Sequence, residues 1–234
     1  MNKYVRDAVT FPRDAGAAWR HAGAPGVWRE IRVRTLDRIS RRGLALVLEH
    51  VLDDVPPVVL PDGIRIAPFA GPDWSPFLAI TTANRIASFH TRIARGRECL
   101  VAWRGDRPVG FTWISARMDP DIETYPLPLP ADATYHWDLY VASSERGNGL
   151  GTALAFARLH HARGRHFRAG WRLIDVDNLA SQRTAQKTAA AASSTRVIGE
   201  VRYASFGGKS WSRFTPGVTS AESAQLRAAL EHAR

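Results

Sequence analysis

The stretch from Tyr135 to Thr152 constrains the fold of this chain more than any other segment. It reads Tyr-His-Trp-Asp-Leu-Tyr-Val-Ala-Ser-Ser-Glu-Arg-Gly-Asn-Gly-Leu-Gly-Thr. Its first part alternates apolar and polar residues, which is the period of a half-buried strand. Three glycines then fall within five residues, and helix-forming residues follow up to Gly164. The stretch therefore predicts a strand, a glycine-rich turn and a helix start. The apolar positions of this strand are Tyr135, Trp137, Leu139 and Val141.

The glycine-rich turn has the chemistry of an anion-binding site. Glycine permits positive φ and lets a ligand approach main-chain N–H groups without an intervening Cβ. The free N–H groups of the helix start point back into the loop, where they suit a pyrophosphate. Arg146 adds a cation beside them. The alternative is a tight turn that binds nothing.

The spacing of the glycines separates this loop from two common phosphate-binding loops. The segment from Arg146 to Gly151 lacks the Gly-Lys-Ser/Thr ending of the nucleotide P-loop. Its third glycine also comes one residue earlier than in the Rossmann fingerprint. The loop resembles the Arg/Gln-x-x-Gly-x-Gly/Ala loop of the Gcn5-related N-acetyltransferase (GNAT) family, and it follows a strand ending Asp-Leu-Tyr-Val, as there.

The order of the predicted elements agrees with this resemblance over residues 63–215. The resemblance implies an α/β (α+β) fold with a mixed, mostly antiparallel sheet of about seven strands flanked by helices. Two central strands, Tyr135 to Val141 and Arg168 to Asp177, would run parallel and splay apart. We assign the GNAT-like domain to residues 58–234.

The N-terminal quarter of the chain lies outside the resemblance. From Val27 to Leu52 apolar residues recur every three to four positions, which predicts a helix interrupted near Gly43. The first half of this segment is rich in arginine, as in helices that lie on membranes or contact phosphates. We favour a helix docked on the domain with its arginines in solvent. Residues 1–57 are therefore interpreted as a helical N-terminal extension.

The resemblance implies that acetyl-CoA is the co-substrate and indicates which residues bind it. Main-chain groups of the fourth strand of the family fold would pair with the pantetheine arm and the thioester, and the loop N–H groups would hold the pyrophosphate. A second family motif, Asn-x-x-Ala/Ser-x-x-x-Tyr-x-Lys-x-Gly-Phe, is present in degraded form after residue 177. The implied binding residues are Leu139, Tyr140, Val141, Arg146, Gly147, Asn148, Gly149, Leu150, Gly151, Thr152, Asn178 and Ser181.

Acyl transfer to an amine requires a base, because an alkyl ammonium with a pKa of about 10 must lose a proton. Asp138 lies three residues before Val141, near a position where the family often has a carboxylate. We predict Asp138 as the base and His136, on the same predicted strand face, as the second candidate. A structural carboxylate and a backbone-bonded histidine are the competing interpretations. Glu98 and Asp177 are weaker candidates.

Ala185 stands where the family often has a tyrosine that protonates the leaving thiolate. A thiol with a pKa of about 8.5 leaves tolerably without an acid, and Tyr140 or Tyr203 could replace it. In the family, the acceptor site is lined by segments that here contain five aromatic residues, whose rings we interpret as core residues. They are Trp74, Phe89, Trp113, Phe206 and Trp211. The predicted function is an N-acyltransferase that moves acetyl from acetyl-CoA to an amine of a small molecule or protein. The alternative is a catalytically silent acyl-CoA-binding or regulatory module.

Composition limits the partners of the chain. The net charge of +10, carried almost wholly by arginine, favours anionic ligands. The sequence has no zinc-finger spacing, aromatic RNP motif or obvious helix-turn-helix, so no specific nucleic-acid partner is expected. Cys99 is the only cysteine, which excludes an intramolecular disulfide. His160 and His161 are adjacent on the predicted helix and point apart, so no metal site is predicted.

The sequence gives no indication of membrane insertion or export. No segment approaches the run of about 18 apolar residues that a membrane span needs. Charged residues near the N-terminus do not fit an ordinary signal peptide. We expect a cytoplasmic protein, and the resemblance leaves a homodimer open as its assembly.

Overall fold

The computed structural model describes residues 40–234 except positions 121, 124, 192–193, 207–208 and 233–234, together with six single positions between 16 and 31. The part of the predicted helical extension before residue 40 therefore lies mostly outside the described residues. In the described part, no helix is long and apolar enough to cross a membrane.

Eight strands and four α-helices make up the described fold. The strands are β1 Ser40–Val51, β2 Ile64–Pro68, β3 Glu98–Arg104, β4 Arg107–Ser115, β5 Ala133–Val141, β6 Ala169–Asp175, β7 Thr195–Phe206 and β8 Lys209–Pro216. The helices are α1 Ala83–Ala94, α2 Leu150–Gly164, α3 Leu179–Ala191 and α4 Ala221–Glu231. Two short 3-10 helices lie at Ser75–Ala79 and Ser143–Glu145.

All eight strands form one sheet with the order β2-β3-β4-β5-β6-β1-β7-β8. Neighbouring strands are antiparallel except β5 and β6, which are parallel. The predicted fold class is confirmed, with one strand more than the roughly seven expected.

The additional strand is β1, and the helix predicted over residues 27–52 is wrong for its C-terminal part. β1 lies between β6 and β7 and pairs with both. Residues 45–50 are all buried, because both faces of the sheet are covered there. A strand buried on both faces loses its alternation and reads as a continuous apolar run, which periodicity cannot distinguish from a buried helix. The sheet thus extends N-terminally past the boundary predicted at residue 57.

The two faces of the sheet have different covers. The 3-10 helix Ser75–Ala79 and α1 cover one face with an aromatic cluster, and we name this the α1 face. Helices α2, α3 and α4 cover the other, which we name the α2 face. The α1-face cluster contains Trp74, Phe77, Phe89, Phe111 and Trp113. Phe206 and Trp211 are exposed on the β7–β8 hairpin, so the interpretation of these two as core residues is wrong. The α2-face core contains Leu46, Leu48, Ile174, Leu226 and Leu230 near α3 and α4, and Leu150 and Leu154 near the start of α2.

The central parallel pair separates after three residue pairs. Ala133, Thr134 and Tyr135 pair with Ala169, Gly170 and Trp171, respectively. Beyond that point the described pairs of β5 are with β4, and those of β6 are with β1. The predicted splay is therefore present, and it leaves one edge of β5 open along residues 136–141.

Glu200 of β7 fixes the start of α4. Its side chain is 1% exposed and accepts hydrogen bonds from the Ser220 Oγ–H at 3.0 Å, from the Ser220 N–H at 3.3 Å and from the hydroxyl of Thr219. Ser220 in turn caps α4 by accepting from the Ser223 N–H. Burial raises the pKa of Glu200, but the hydrogen bonds from Thr219 and Ser220 outweigh it and lower the pKa to about 2.

We expect Glu200→Gln to destabilise the fold by roughly 2–3 kcal/mol at neutral pH, since it removes charged hydrogen bonds at a buried site. The folded-state pKa of about 2 lies below the ordinary value of 4.5, so this stabilisation is complete above pH 4.5 and disappears as the pH falls toward 2. Denaturant unfolding at pH 7 and pH 3 measures it. The difference between variant and wild type should shrink at pH 3, whereas Asp106→Asn in the exposed β3–β4 turn should change little at either pH. A difference that grows in acid would contradict this account.

Candidate functional site

The predicted strand, glycine loop and helix start occur as β5, the loop 146–149 and α2. Gly147 and Gly149 have φ of 87° and 80°, where other residues are strained, so the backbone of the loop requires glycine at both. Gly149 is the residue before the helix, and no side chain caps this end of α2. The first N–H groups of α2 are therefore available to an anion.

Glu145 anchors the glycine loop to the β3–β4 hairpin. Its buried carboxylate accepts hydrogen bonds from Arg104 Nε at 3.0 Å and Nη2 at 2.7 Å. The hydrogen bonds from Arg104 lower the pKa of Glu145, so the carboxylate stays ionised. The Arg104 guanidinium balances its charge. Arg146 is exposed, and its Nε donates to the Val141 carbonyl at 3.2 Å. The sequence did not reveal the Glu145–Arg104 pair, because 41 residues separate its members.

Gly151 differs from the two loop glycines. It lies in the first turn of α2 without a positive φ. A Cβ built there would be 3.8 Å from Thr184 Oγ1 and 3.8 Å from Val141 Cγ2, which are ordinary contact distances. Neither backbone conformation nor packing requires glycine here. The missing Cβ leaves space directly at the helix N-terminus, where the resemblance expects the pyrophosphate.

Strand β5 contains a β-bulge at Asp138, so the predicted alternation of faces does not continue past this residue. Trp137 pairs with Trp113 and Tyr140 with Phe111, so β5 has one extra residue in this interval. Asp138 has a φ of 48°. Before the bulge, odd-numbered side chains such as Trp137 lie on the α1 face. After it, Leu139 and Val141 pack under α2, while Tyr140 joins the α1 face. The four apolar positions do not share a face.

Asp138 lies on the α1 face between two arginines of α1. Arg85 and Arg92 each donate a short, charged hydrogen bond to one carboxylate oxygen. The Arg92 guanidinium also lies 4.2 Å from the Trp137 ring centroid. Burial raises the pKa of Asp138, but the two guanidiniums outweigh it and hold the pKa below its ordinary value. Asp138 is therefore anionic at neutral pH. The two arginines are seven residues apart, and this two-turn spacing is the sequence signal that could have identified them.

His136 lies on the opposite face from Asp138, contrary to the prediction that they share one. Its ring is buried on the α2 face, where Nε2 is 2.9 Å from Thr134 Oγ1 and Nδ1 has no partner in the described part of the chain. Burial, with added repulsion from nearby arginines, lowers the pKa of His136 well below 6.5. The imidazole is therefore neutral at neutral pH.

The other candidates for acid–base chemistry have defined surroundings. Tyr140 is half-buried and stacks on Phe111 with centroids 5.4 Å apart. The Tyr203 hydroxyl donates to Asp175 at the end of β6, on the α1 face. The Glu98 carboxylate bonds His161 and Arg165 near the end of α2, away from the gap between β5 and β6.

The remaining weak candidate is exposed. The backbone N–H of Asp177 donates to Asp175 Oδ1 at 3.0 Å in the turn after β6. This bond engages the main chain of Asp177 and leaves its carboxylate at the surface. Among the described residues, no group of three His, Cys, Asp or Glu side chains could hold a metal ion.

The second motif begins α3. Asn178 Oδ1 accepts from the Ser181 N–H at 3.0 Å, as a helix N-cap does. The contact of Asn178 and Ser181 with a co-substrate stays a prediction. Ala185 is completely buried against Leu46, Ile174 and residues of α4. This position points into the core, which explains why a tyrosine is absent there.

Residues 69–190, just over half of the chain, match the model of the acetyltransferase (GNAT) family. No curated protein matches the sequence. One similar solved structure is the GCN5-related glucosamine N-acetyltransferase region of a fungal multi-domain GH3 beta-N-acetylglucosaminidase, at 13% identity and TM-score 0.51, covering 74% of this chain and 22% of that one.

Two further solved structures have lower TM-scores. A GCN5-related N-acetyltransferase from Sphaerobacter thermophilus is 15% identical, with TM-score 0.48, over 86% of this chain and 60% of that one. An N-acetyltransferase from Staphylococcus aureus Mu50 is 25% identical, with TM-score 0.40, over 53% and 81%. The chain covers less than two thirds of the length of the fungal and Sphaerobacter structures.

Gly151→Ala should leave the unfolding temperature unchanged or slightly higher, because alanine is the better helix former and finds only ordinary contacts. The same change should weaken pyrophosphate-bearing ligands roughly tenfold, since it places a methyl group over the helix N-terminus. Calorimetric titration with CoA checks this, with Gly164→Ala at the other end of α2 as the matched control. Unaltered CoA affinity in the Gly151 variant would show that the space at this residue is not used.

Ala185→Tyr should lower stability by roughly 1–3 kcal/mol or more, because a ring must enter a filled core. Ala180→Tyr, at an exposed position of the same helix, should change stability little. Thermal unfolding of the two variants distinguishes them. Equal stability would mean that α4 can move aside and that the position is open.

Proposed function

The chain is a member of the GNAT acetyltransferase family, and we propose that it is an acyl-CoA-dependent N-acyltransferase that transfers acetyl from acetyl-CoA to an amine. Members of this family typically use acetyl-CoA as co-substrate. The observation that carries the proposal is that the open edge of β5 leads directly into the glycine loop and the uncapped start of α2.

The described residues fit such a co-substrate. Residues 136–141 of β5 have no β6 partner, so an extended arm with amide groups can pair with them as an added strand. Leu139, Tyr140 and Val141 are the expected main-chain partners. At the end of this edge, the N–H groups of residues 147–152 and the space at Gly151 suit two phosphates. The order of these features along β5 and α2 matches the order of thioester, pantetheine and pyrophosphate in CoA.

We assign to Asp138 a positioning role in place of the predicted role of base. A base must take up a proton, and the charges of Arg85 and Arg92 make protonation of Asp138 unfavourable. His136 is neutral, but it is 2% exposed and lies on the other face of the sheet. We infer that Asp138 holds the two arginines beside the bulge, and that the proton of the amine is lost to water during direct attack on the thioester.

A second candidate function is the catalytically silent acyl-CoA-binding module. Two observations favour it. The charge of Asp138 is balanced by two arginines, and Ala185, where the family often has a tyrosine, is buried in the core. Binding of the co-substrate is common to both candidates, so only turnover separates them.

We expect acetyl-CoA to bind the wild-type chain and to raise its melting temperature, since a ligand of the native state stabilises it. Thiol release with a panel of small amines, amino acids and peptides then tests transfer. Turnover on any acceptor supports the enzyme, and binding without turnover on the whole panel supports the silent module. Absence of CoA binding to the folded protein would eliminate both.

Arg92→Met distinguishes the two roles of Asp138, because removing one guanidinium raises the pKa of the carboxylate and strengthens it as a base. If Asp138 only positions the arginines, kcat/KM at pH 7 should fall about tenfold through a higher KM, and Asp138→Asn should do the same. If Asp138 is the base, Arg92→Met should maintain or raise kcat, while Asp138→Asn lowers it a hundredfold or more. Steady-state kinetics with His136→Ala in parallel provide the measurement and the control for the opposite face.

A further inference from the structure

Four buried, nitrogen-bearing side chains surround Gly170 on the α2 face of the sheet. His50 is the antiparallel partner of Gly170 on β1. The ring of His136 lies over Gly170 so closely that a Cβ on the glycine would be 2.5 Å from its Cε1. Arg172 follows two residues later on the same strand. Arg158 belongs to α2 and interacts electrostatically with both His136 and Arg172. We name these four side chains the Gly170 cluster.

Within the described residues, each member of the Gly170 cluster bonds through its side chain to one threonine hydroxyl and to no carboxylate. The pairs are His50 with Thr195 at 2.7 Å, His136 with Thr134 at 2.9 Å, Arg158 with Thr112 at 3.3 Å and Arg172 with Thr188 at 2.9 Å. The Nε atoms of both arginines and Nδ1 of His136 are buried and have no hydrogen-bond partner among the described residues. The cluster therefore has unused hydrogen-bond capacity.

The two arginines make the cluster cationic, and in the part of the chain that the structure describes no carboxylate bonds either of them. The two helices that cover it, α2 and α3, contain no aspartate or glutamate. Arg158 and Arg172 are each 4% exposed. Burial lowers the pKa of Arg158 to about 10, which still leaves it protonated at neutral pH. Burial, with added repulsion from Arg158, also lowers the pKa of Arg172 well below its ordinary value, so an anion beside the pair would favour its charged form. A buried guanidinium without an anion is unfavourable, so an anion that reached this place would bind favourably.

The carboxylates on the three strands that contain His50, His136 and Arg172 lie on the α1 face; Glu49 of β1, for example, accepts from Trp171 Nε1 there. Asp138 of β5 bonds Arg85 and Arg92 on the α1 face. Asp175 of β6 accepts from Tyr203, also on the α1 face. The sheet itself thus separates the cluster from these acids. On the α2 face, Glu98 is bonded to His161 and Arg165, and Glu200 is bonded to Thr219 and Ser220, so both carboxylates already have partners outside the cluster.

The position of the cluster indicates which ligand. His136 and Arg172 are the first residues after the last β5–β6 pair, Tyr135 with Trp171. They therefore flank the closed end of the gap between the strands. An arm that enters along β5 from the glycine loop would direct its far end toward this point. The acceptor segments, by contrast, lie on the α1 face.

We propose that the Gly170 cluster binds a carboxylate at the far end of the donor's acyl group, so that the preferred donor is the CoA thioester of a short dicarboxylic acid. This inference rests on the proposed acyl-CoA function and specifies its acyl group. Guanidinium groups suit the assignment, because their planar N–H donors match the two oxygens of a carboxylate. Glycine at 170 contributes by leaving room for the His136 ring next to them.

Isothermal titration of the full chain with butyryl-CoA and succinyl-CoA tests the proposal, since these acyl groups have equal length and differ in the terminal carboxylate. We expect succinyl-CoA to bind roughly ten- to a hundredfold more tightly to the wild type, as charge-assisted hydrogen bonds at a desolvated site should give. Arg172→Met should abolish this preference and leave butyryl-CoA affinity intact. Arg168→Met, at an exposed position just before β6, should preserve it.

The variants are expected to fold, because methionine replaces an unpaired buried charge with an apolar chain of similar length. Arg158→Met provides an independent second variant. Equal affinity for butyryl-CoA and succinyl-CoA in the wild type would overturn the proposal while acetyl-CoA binding kept the acyltransferase assignment. Failure of every CoA thioester to bind would overturn both.

Free anions supply the last arm of the test. Sodium acetate and sodium chloride are added to the ligand-free wild type and to Arg172→Met, and melting temperatures are compared. Stabilisation of the wild type alone, without a preference for succinyl-CoA, would assign the cluster to a free anion and overturn the donor assignment. Succinyl-CoA preference that is weakened by added acetate would support a shared carboxylate site.

Discussion

The separation of β5 from β6 after three residue pairs is the constraint on which the rest of the site depends. Each strand keeps its other neighbour, β4 for β5 and β1 for β6, so the sheet stays intact on both sides of the gap. Backbone N–H and C=O groups that face the gap need partners, because leaving them unpaired costs free energy. A ligand with amide groups meets this need. The gap is therefore both the weakest pairing in the sheet and its natural binding edge.

The bulge in β5 determines which side chains lie on each face of the sheet beside the gap. Without the extra residue at Asp138, the carboxylate and the imidazole of His136 would lie on one face, as the alternation predicts. With it, Asp138 meets the arginines of α1 among aromatic rings, and His136 turns toward Gly170 under α2. The α1 face thus holds a compensated ion cluster, whereas on the α2 face the Gly170 cluster bonds no carboxylate among the described residues. A donor and an acceptor that enter from different faces would meet different electrostatic environments.

The C-terminal helix α4 alters the site indirectly. Glu200 and Ser220 fix its start against β7, and Leu226 and Leu230 then pack with Ala185 of α3. The position that often carries a tyrosine in the family is consequently part of the core. The loss of that phenol is a consequence of packing, which is why the proposed transfer relies on the leaving ability of the thiolate. Tyr203 also carries a phenol, but it belongs to β7, and its hydroxyl is bonded to Asp175 on the α1 face.

The sequence alone was sufficient to predict the glycine loop, the strand before it, the helix after it, the fold class and the family. These features depend on local rules: glycine at positive φ, free N–H groups at a helix start and short-range periodicity. Residues far apart in sequence decided the rest. Strand β1 resembled a helix because two neighbours bury both its faces, and the bulge at Asp138 is defined only by pairing with β4.

The pairing of Asp138 with Arg85 and Arg92, and the gathering of Arg158 and Arg172 around Gly170, have the same origin. They join residues from separate helices and strands. The two-turn spacing of Arg85 and Arg92 indicates a shared helix face, but it does not indicate which strand that face meets. Which residues have the right chemistry was therefore determined by the sequence. Only the tertiary structure decided which of them are buried together, and therefore which are charged, paired or left without a hydrogen-bond partner. The physical reason is that burial and Coulomb interactions depend on distance in space.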